Sequence, residues 1–244
     1  MKPLKWIAEI GINHLADPQL ALRYVEDLAR AGVDAVTFQE RELAFYDHSK
    51  PYAFRLSDET YRTLAERCRS RGLGLGIIVG DPQRIDFFSS LEPDFYKILS
   101  RDFRHTELWI RLLAQGVPVY ASTGGINGVQ IQQALQSFPD VRLIHTEFYP
   151  GSEHANISAI ATISAKFKVP VAYGLHGSQP ELLILCLPYL PEKIFFYTRH
   201  AAADQMPDGM HAIPLEEVPH WMDRLKLLTL AIGDGEKNGG QGAQ

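Results

Sequence analysis

The sequence predicts a single (β/α)₈ barrel of the TIM-barrel type, and three observations predict it. The chain has 244 residues, which is the usual size of one such barrel. Eight short, near-continuously apolar runs alternate with helix-length amphipathic segments from one end of the chain to the other. No Gly-rich dinucleotide fingerprint follows the first apolar run, so an open doubly wound sheet is disfavoured.

The eight apolar runs are rich in Val, Ile and Phe, as expected for parallel strands that are buried on both faces. In chain order, the predicted strands are 6–12, 34–39, 73–79, 95–100, 117–122, 141–148, 170–176 and 193–199.

Helix signals lie between these runs. Asp17 followed by Pro18 predicts an N-cap and a first helical position, and Gly32 predicts the end of the same helix. The spacing of Leu20, Val25 and Leu28 gives this segment one apolar face. A second helix opens at 57, and others are predicted at 127–137 and 214–232. We therefore expect one barrel over 1–233, followed by a flexible, Gly-rich tail over 234–244.

Composition excludes several classes of protein. Hydrophobic residues make up 45% of the chain and charged residues 22%, as in average globular proteins. The net charge of −5 offers no basic surface for nucleic acid. No apolar stretch is long enough to predict a membrane span, and no signal peptide is evident. With Cys68 and Cys186 in predicted helices, we expect a cytoplasmic protein with reduced thiols.

Two histidines end the last two predicted strands, His176 in PVAYGLH and His200 in KIFFYTRH. In a parallel barrel the active site lies at the carboxyl ends of the strands. Paired imidazoles at this edge can hold a divalent metal, so we predict His176 and His200 as metal ligands. The alternative is that each histidine is only a polar strand terminus.

Other polar residues are predicted at the same edge. Lys97, inside FYKILS, either forms an ion pair with a carboxylate such as Glu9 or binds an anionic ligand. Ser122 and Thr123, followed by two glycines, suggest a phosphate cradle, although the same residues also form ordinary turns. Glu9 suits a general base and Gln39 suits a sugar-like polyol, and either one is equally a candidate structural group.

These residues belong to longer segments that resemble one family. IAEIGINHLAD and ALRYVEDLARAGVDAVTFQ resemble the first βαβ unit of the sialic acid synthase (N-acetylneuraminate synthase) family. The resemblance continues through RIDFFSSLEPDFYKILS, ASTGG, NISAIATISAKFKVPVAYGLH and PDGMHAIPLEEV, and it ends at LAIGDGEK. It implies a TIM barrel that condenses phosphoenolpyruvate with an N-acylated hexosamine or its phosphate. The implied cofactor is a divalent metal, usually Mn²⁺ with Mg²⁺ as the alternative, and the implied assembly is a homodimer.

The resemblance also implies roles for single residues. Three positions match residues that hold phosphoenolpyruvate: Lys97, Ser100 and Ser122. Four match residues that contact the sugar: Glu9, Gln39, Tyr149 and Asp208. Glu9 is also placed to assist at the reacting carbonyl, and His176 and His200 match the metal ligands. His200 matches only if the loop after it is shorter than usual; otherwise Tyr197 takes the position and one ligand is lost.

The chain departs from the family pattern at several positions. Thr37 stands where the family has a phosphoenolpyruvate-binding lysine, and Glu147 stands where it has a neutral residue on the phosphate side. An ionised Glu147 would repel a phosphate. Because the resemblance ends with the barrel, we expect no C-terminal antifreeze-like domain.

Three functions remain in competition. The first is a divergent synthase that condenses phosphoenolpyruvate with an amino-sugar-type aldehyde, with Glu9, Lys97 and His176 as catalytic residues. The second is a metal-dependent lyase, aldolase or isomerase in which Glu147 is a metal ligand or a base. The third is a barrel that binds a sugar without catalysis.

Overall fold

Eight parallel strands close into a barrel in this computed structural model, which describes residues 4–46, 55–148 and 152–233. Each strand pairs with the next one along the chain, and β8 pairs with β1 to close the sheet. The strands are β1 (Lys5–Gly11), β2 (Ala35–Glu40), β3 (Gly74–Val79), β4 (Phe95–Ile98), β5 (Val119–Ser122), β6 (Arg142–His145), β7 (Val171–Leu175) and β8 (Lys193–Arg199). The predicted (β/α)₈ barrel is confirmed.

A helix follows each of the eight barrel strands along the chain. They are α1 (Pro18–Ala31), α2 (Asp58–Ser70), α3 (Ile85–Ser89), α4 (Thr106–Leu113), α5 (Gly128–Ser137), α6 (Ala159–Phe167), α7 (Glu181–Leu185) and α8 (Val218–Ile232). The Asp17 side chain accepts hydrogen bonds from two backbone N–H groups of α1, and Gly32 ends this helix at φ 74°. Both predicted boundaries of α1 are therefore confirmed. None of the helices in the described ranges is both long and apolar enough to cross a membrane.

The barrel interior has two layers of different chemistry. The lower layer is a buried cluster that is almost entirely apolar: Ile7, Ala35, Phe95, Tyr120, Ile144, Ala172 and Phe195. Two residues further along the same strands, the inward positions carry Glu9, Thr37, Lys97, Ser122, Thr146, Gly174 and Tyr197. The lower layer therefore fills the barrel, and the polar layer forms the floor of a cavity at the carboxyl ends of the strands.

A ninth strand, β9 (Ala212–Pro214), is an addition that the sequence did not predict. It pairs in parallel with the end of β8, where Tyr197 lies opposite Ala212. This pairing brings the loop before β9 back over the rim of the barrel, so its last residues lie beside the cavity.

Candidate functional site

The cavity above the polar layer has a volume of about 250 Å³. Seven of the residues predicted for the site line it: Glu9, Gln39, Lys97, Ser100, Ser122, His176 and Asp208. They come from four strands and three loops, which the closed barrel brings to one place. The sequence thus identified most of the polar lining, and Phe45 and Phe148 add aromatic walls at the mouth.

A buried ion pair joins Lys97 of β4 to Glu9 of β1 inside the cavity. The Lys97 ammonium donates to the Glu9 carboxylate, and the two side chains are 6% and 2% exposed. The rings of Phe195 and Tyr197 lie 5.3 and 5.8 Å from the ammonium nitrogen. Of the two alternatives for Lys97, the structure therefore shows the ion pair with Glu9. Since the pair also lines the cavity, it does not exclude contact with a ligand.

The two residues of the predicted phosphate cradle, Ser122 and Thr123, have different surroundings. Ser122 lines the cavity, whereas the Thr123 hydroxyl donates to the backbone carbonyl of Ile144 at 3.0 Å and does not line it. Ser100 contributes a second hydroxyl, and a Cβ atom at Gly124 would lie 3.0 Å from its Oγ. Thr123 is thus a connection between β5 and β6.

His176 stacks on a histidine that the sequence analysis missed, His211. Their ring centroids are 3.9 Å apart with an interplanar angle of 22°. Tyr197 packs edge-on against His211 at 4.8 Å, and Asp208 Oδ1 lies 3.8 Å from His211 Nε2. The signal for His211 was present in PDGMH, but only the pairing of β9 with β8 shows that this residue reaches the cavity.

Burial governs the protonation of this group. It lowers the pKa of His176, and together with the nearby His176 and Lys97 it lowers the pKa of His211 to about 3. Both imidazoles are therefore neutral at pH 7. Burial raises the pKa of Asp208 to about 6, and the nearby Glu9 carboxylate acts in the same direction.

His200 does not join His176 in the cavity. Side chains alternate across a strand, so Phe195 and Tyr197 face the barrel interior and His200, just past the end of β8, falls on the helix side. Its ring lies 6.4 Å from that of Tyr24 in α1. This placement corrects the predicted pairing of His176 with His200. The inward position near the end of β8 belongs to Tyr197.

Glu147, another predicted site residue, does not line the cavity. β6 ends at His145, and beyond it Thr146 and Phe148 line the cavity, whereas Glu147 between them does not. The Glu147 carboxylate is therefore not among the groups that a phosphate in the cavity would touch. Tyr149 and the predicted tail, 234–244, lie outside the described residues.

The histidine cluster offers donor atoms that suit a metal ion. Three buried atoms at this point have no hydrogen-bond partner among the described residues: His176 Nδ1, His211 Nε2 and Asp208 Oδ2. Neutral imidazole nitrogens and a carboxylate oxygen are suitable donors for a divalent transition metal. Within the described ranges, no group of three or more His, Cys, Asp or Glu side chains is arranged to hold a metal. The donor chemistry fits, and the stacked arrangement of the two rings is not itself a coordination geometry.

The chain is similar in sequence to known proteins. The model of the NeuB family matches residues 42–237. N,N'-diacetyllegionaminic acid synthase of Legionella pneumophila is 28% identical over 265 residues, which cover 95% of this chain and 74% of the relative. The uncharacterized protein MJ1065 of Methanocaldococcus jannaschii is 26% identical over 254 residues, with 97% and 74% covered.

Solved structures share the fold. The crystal structure of an N-acetylneuraminic acid synthetase from Leptospira borgpetersenii, in complex with citrate, superimposes with a TM-score of 0.90. Its sequence is 23% identical, and the match covers 98% of this chain and 88% of that one. The likeness supports the barrel architecture described above.

Proposed function

We propose, because this chain belongs to the NeuB family, that it is a sialic-acid-type synthase that condenses phosphoenolpyruvate with the aldehyde carbon of an acylated amino sugar. The observation that carries the proposal is the polar lining of the cavity, which Lys97, Ser100 and Ser122 all share. These are the donor groups that a small substrate with a carboxylate and a phosphate requires.

In this proposal the donors hold the enolpyruvate. Lys97 and Ser122 donate hydrogen bonds to its anionic groups and fix C3 towards the acceptor, so that the two reactants meet in one orientation. Ser100, at the rim, donates to the phosphate. A bond forms between C3 and the aldehyde carbon, water enters at C2, and the C–O bond to phosphate breaks.

Glu9 and Gln39 lie on the acceptor side. The Glu9 carboxylate handles the proton that the aldehyde oxygen gains as it becomes a hydroxyl, and its ion pair with Lys97 holds it at the reaction centre. Gln39 offers both a donor and an acceptor to the sugar hydroxyls.

The metal implied by the family fits the histidine cluster in its donor chemistry. His176, His211 and Asp208 are the residues that would hold a divalent cation, Mn²⁺ or Mg²⁺, with His211 in the role that the sequence analysis gave to His200. A bound cation would supply a Lewis acid for the aldehyde oxygen.

The test is release of inorganic phosphate from phosphoenolpyruvate with Mn²⁺ and a panel of acylated amino sugars. Glu9→Gln should lower kcat at least about 100-fold, since a positioned acid–base group contributes roughly 10²–10⁴-fold. Glu147→Gln, at a carboxylate outside the lining, should leave kcat unchanged.

The other outcomes decide between functions. Turnover of a sugar without phosphoenolpyruvate, together with a loss in Glu147→Gln, would replace the proposal with a lyase, aldolase or isomerase. Sugar binding without any turnover would make the chain a non-catalytic barrel.

A further inference from the structure

Arg101 stands at the mouth of the cavity with no acidic partner. It lies in the short turn Ser100–Asp102 after β4, and its exposed side chain lines the opening. Its guanidinium carbon is 5.9 Å from the centroid of the Phe45 ring. Asp102 is engaged elsewhere, because it accepts hydrogen bonds from Arg41, one of them 2.9 Å long. No carboxylate in the described part of the chain lies within ion-pair distance of Arg101.

The charges of the cavity make this cation significant. Among the described residues, its charged lining consists of Glu9, Lys97, Arg101 and Asp208. Glu9 neutralises Lys97 through their buried ion pair, and an ionised Asp208 adds negative charge. Thr37, which is buried beside Glu9 in the polar layer, adds no charge. Without Arg101, an anion that enters the cavity would therefore meet no uncompensated positive group.

We propose that Arg101 binds the phosphoryl group of the anionic substrate, together with the Ser100 hydroxyl beside it. The identity of that substrate as phosphoenolpyruvate rests on the proposed function. A guanidinium presents parallel N–H donors to two phosphate oxygens, and it keeps its charge at any physiological pH. Gly124 leaves the Ser100 hydroxyl accessible, because a Cβ atom there would lie 3.0 Å from Ser100 Oγ.

The test is a calorimetric titration of phosphoenolpyruvate into the wild type and three variants. Arg101→Gln should raise Kd about tenfold or more, as expected for loss of a charge-assisted bidentate contact. Arg101→Lys should have a Kd between those of the wild type and Arg101→Gln, since lysine keeps the positive charge but lacks the two parallel N–H donors of the guanidinium. Arg104→Gln, an exposed arginine of the same segment outside the lining, should change Kd less than about twofold. Thermal melts of all variants establish that they are folded.

A second probe, inorganic phosphate, separates this proposal from the proposed function. If phosphoenolpyruvate binds equally well to Arg101→Gln and the wild type, the role of Arg101 is overturned while the synthase proposal stands. If phosphate alone binds, and Arg101→Gln weakens it, Arg101 is an anion-binding residue and the synthase proposal fails. Binding of neither probe to the wild type overturns both.

Discussion

Ser122 and Thr123 carry similar hydroxyl groups at the end of one strand, yet they have different surroundings. Ser122 faces the cavity, whereas the Thr123 hydroxyl donates to a backbone carbonyl of β6. Gln39 and Glu40 repeat the contrast at the end of β2. Gln39 lines the cavity, while Glu40 turns outward and is buried in an ion pair with Arg84 at 2.6 Å.

The same contrast separates the two histidines that the sequence treats alike. His176 lies on the inward side of β7 and reaches the cavity, while His200 lies on the outward side of β8 and contacts α1. The direction of a side chain, which alternates along the strand, therefore decides its role more than its distance from the strand end. Inward residues supply the site, and outward residues join strands to helices and loops.

The largest expected effect concerns the inward ion pair. Lys97→Met leaves Glu9 as an unpaired buried carboxylate, so the free energy of unfolding should fall by about 3–5 kcal/mol. The double variant Glu9→Gln with Lys97→Met removes both charges and should recover most of that loss. Urea unfolding followed by circular dichroism measures both. Equal stabilities of the single variant and the wild type would mean that the pair does not form inside the barrel.

A buried histidine outside the cavity should affect stability through pH. His14 is fully buried, its Nδ1 accepts a hydrogen bond from the Ala16 N–H group, and burial lowers its pKa to about 4. Because the pKa of His14 is lower in the folded state than in the unfolded state, the unfolded chain binds a proton first as the pH falls. The contribution of His14 to the free energy of unfolding is therefore complete above the unfolded pKa, near 6.5, and is lost as the pH falls towards 4. The shift corresponds to about 3 kcal/mol.

The measurement is the free energy of unfolding between pH 7 and pH 4. His14→Asn keeps a hydrogen-bond acceptor without a titrating ring. Between pH 7 and pH 4 its free energy of unfolding should therefore fall by about 3 kcal/mol less than that of the wild type. His220→Asn, at an exposed position of α8, should keep the wild-type slope. A wild-type slope in His14→Asn would show that His14 is not held neutral by burial.

Metal affinity should separate the two strand-end histidines. Loss of a residue that only orients a ligand lowers metal affinity roughly 10–100-fold. His176→Ala and His211→Ala, which remove proposed ligands, should therefore each weaken Mn²⁺ binding about 100-fold. His200→Ala should leave it unchanged. Mn²⁺ titrations followed by electron paramagnetic resonance report this directly, and losses in His176→Ala and His200→Ala without a loss in His211→Ala would restore the original pairing of His176 with His200.

The barrel was predictable because the patterns that indicate it are local in the sequence. These are the apolar runs of the strands, Asp17 at the start of α1 and Gly32 at its end. The inward residues Glu9, Lys97 and Ser122 were identified because each one interrupts a strand that is otherwise apolar. The errors lie where long-range pairing or a strand end decides the result. The sixth strand was predicted to run to 148 but ends at His145, and of the residues just beyond it Thr146 and Phe148 line the cavity while Glu147 does not.

His211 was missed for a related reason. It is far from His176 in the sequence, and nothing local indicates that the three residues of β9 pair with β8. Arg101 directly follows Ser100 and was missed because an exposed arginine has no sequence pattern that separates a binding residue from a solvated one.

The most direct test of the account compares Ser122→Ala with Thr123→Val in calorimetric titrations of phosphoenolpyruvate in the presence of Mn²⁺. The inward hydroxyl of Ser122 should contribute to the affinity for phosphoenolpyruvate, and the outward hydroxyl of Thr123 should not. We predict that Ser122→Ala raises Kd about tenfold, the usual effect of losing a hydrogen bond to a charged group, and that Thr123→Val binds like the wild type. Equal effects of the two substitutions, or no binding of phosphoenolpyruvate to the wild type, would contradict the account.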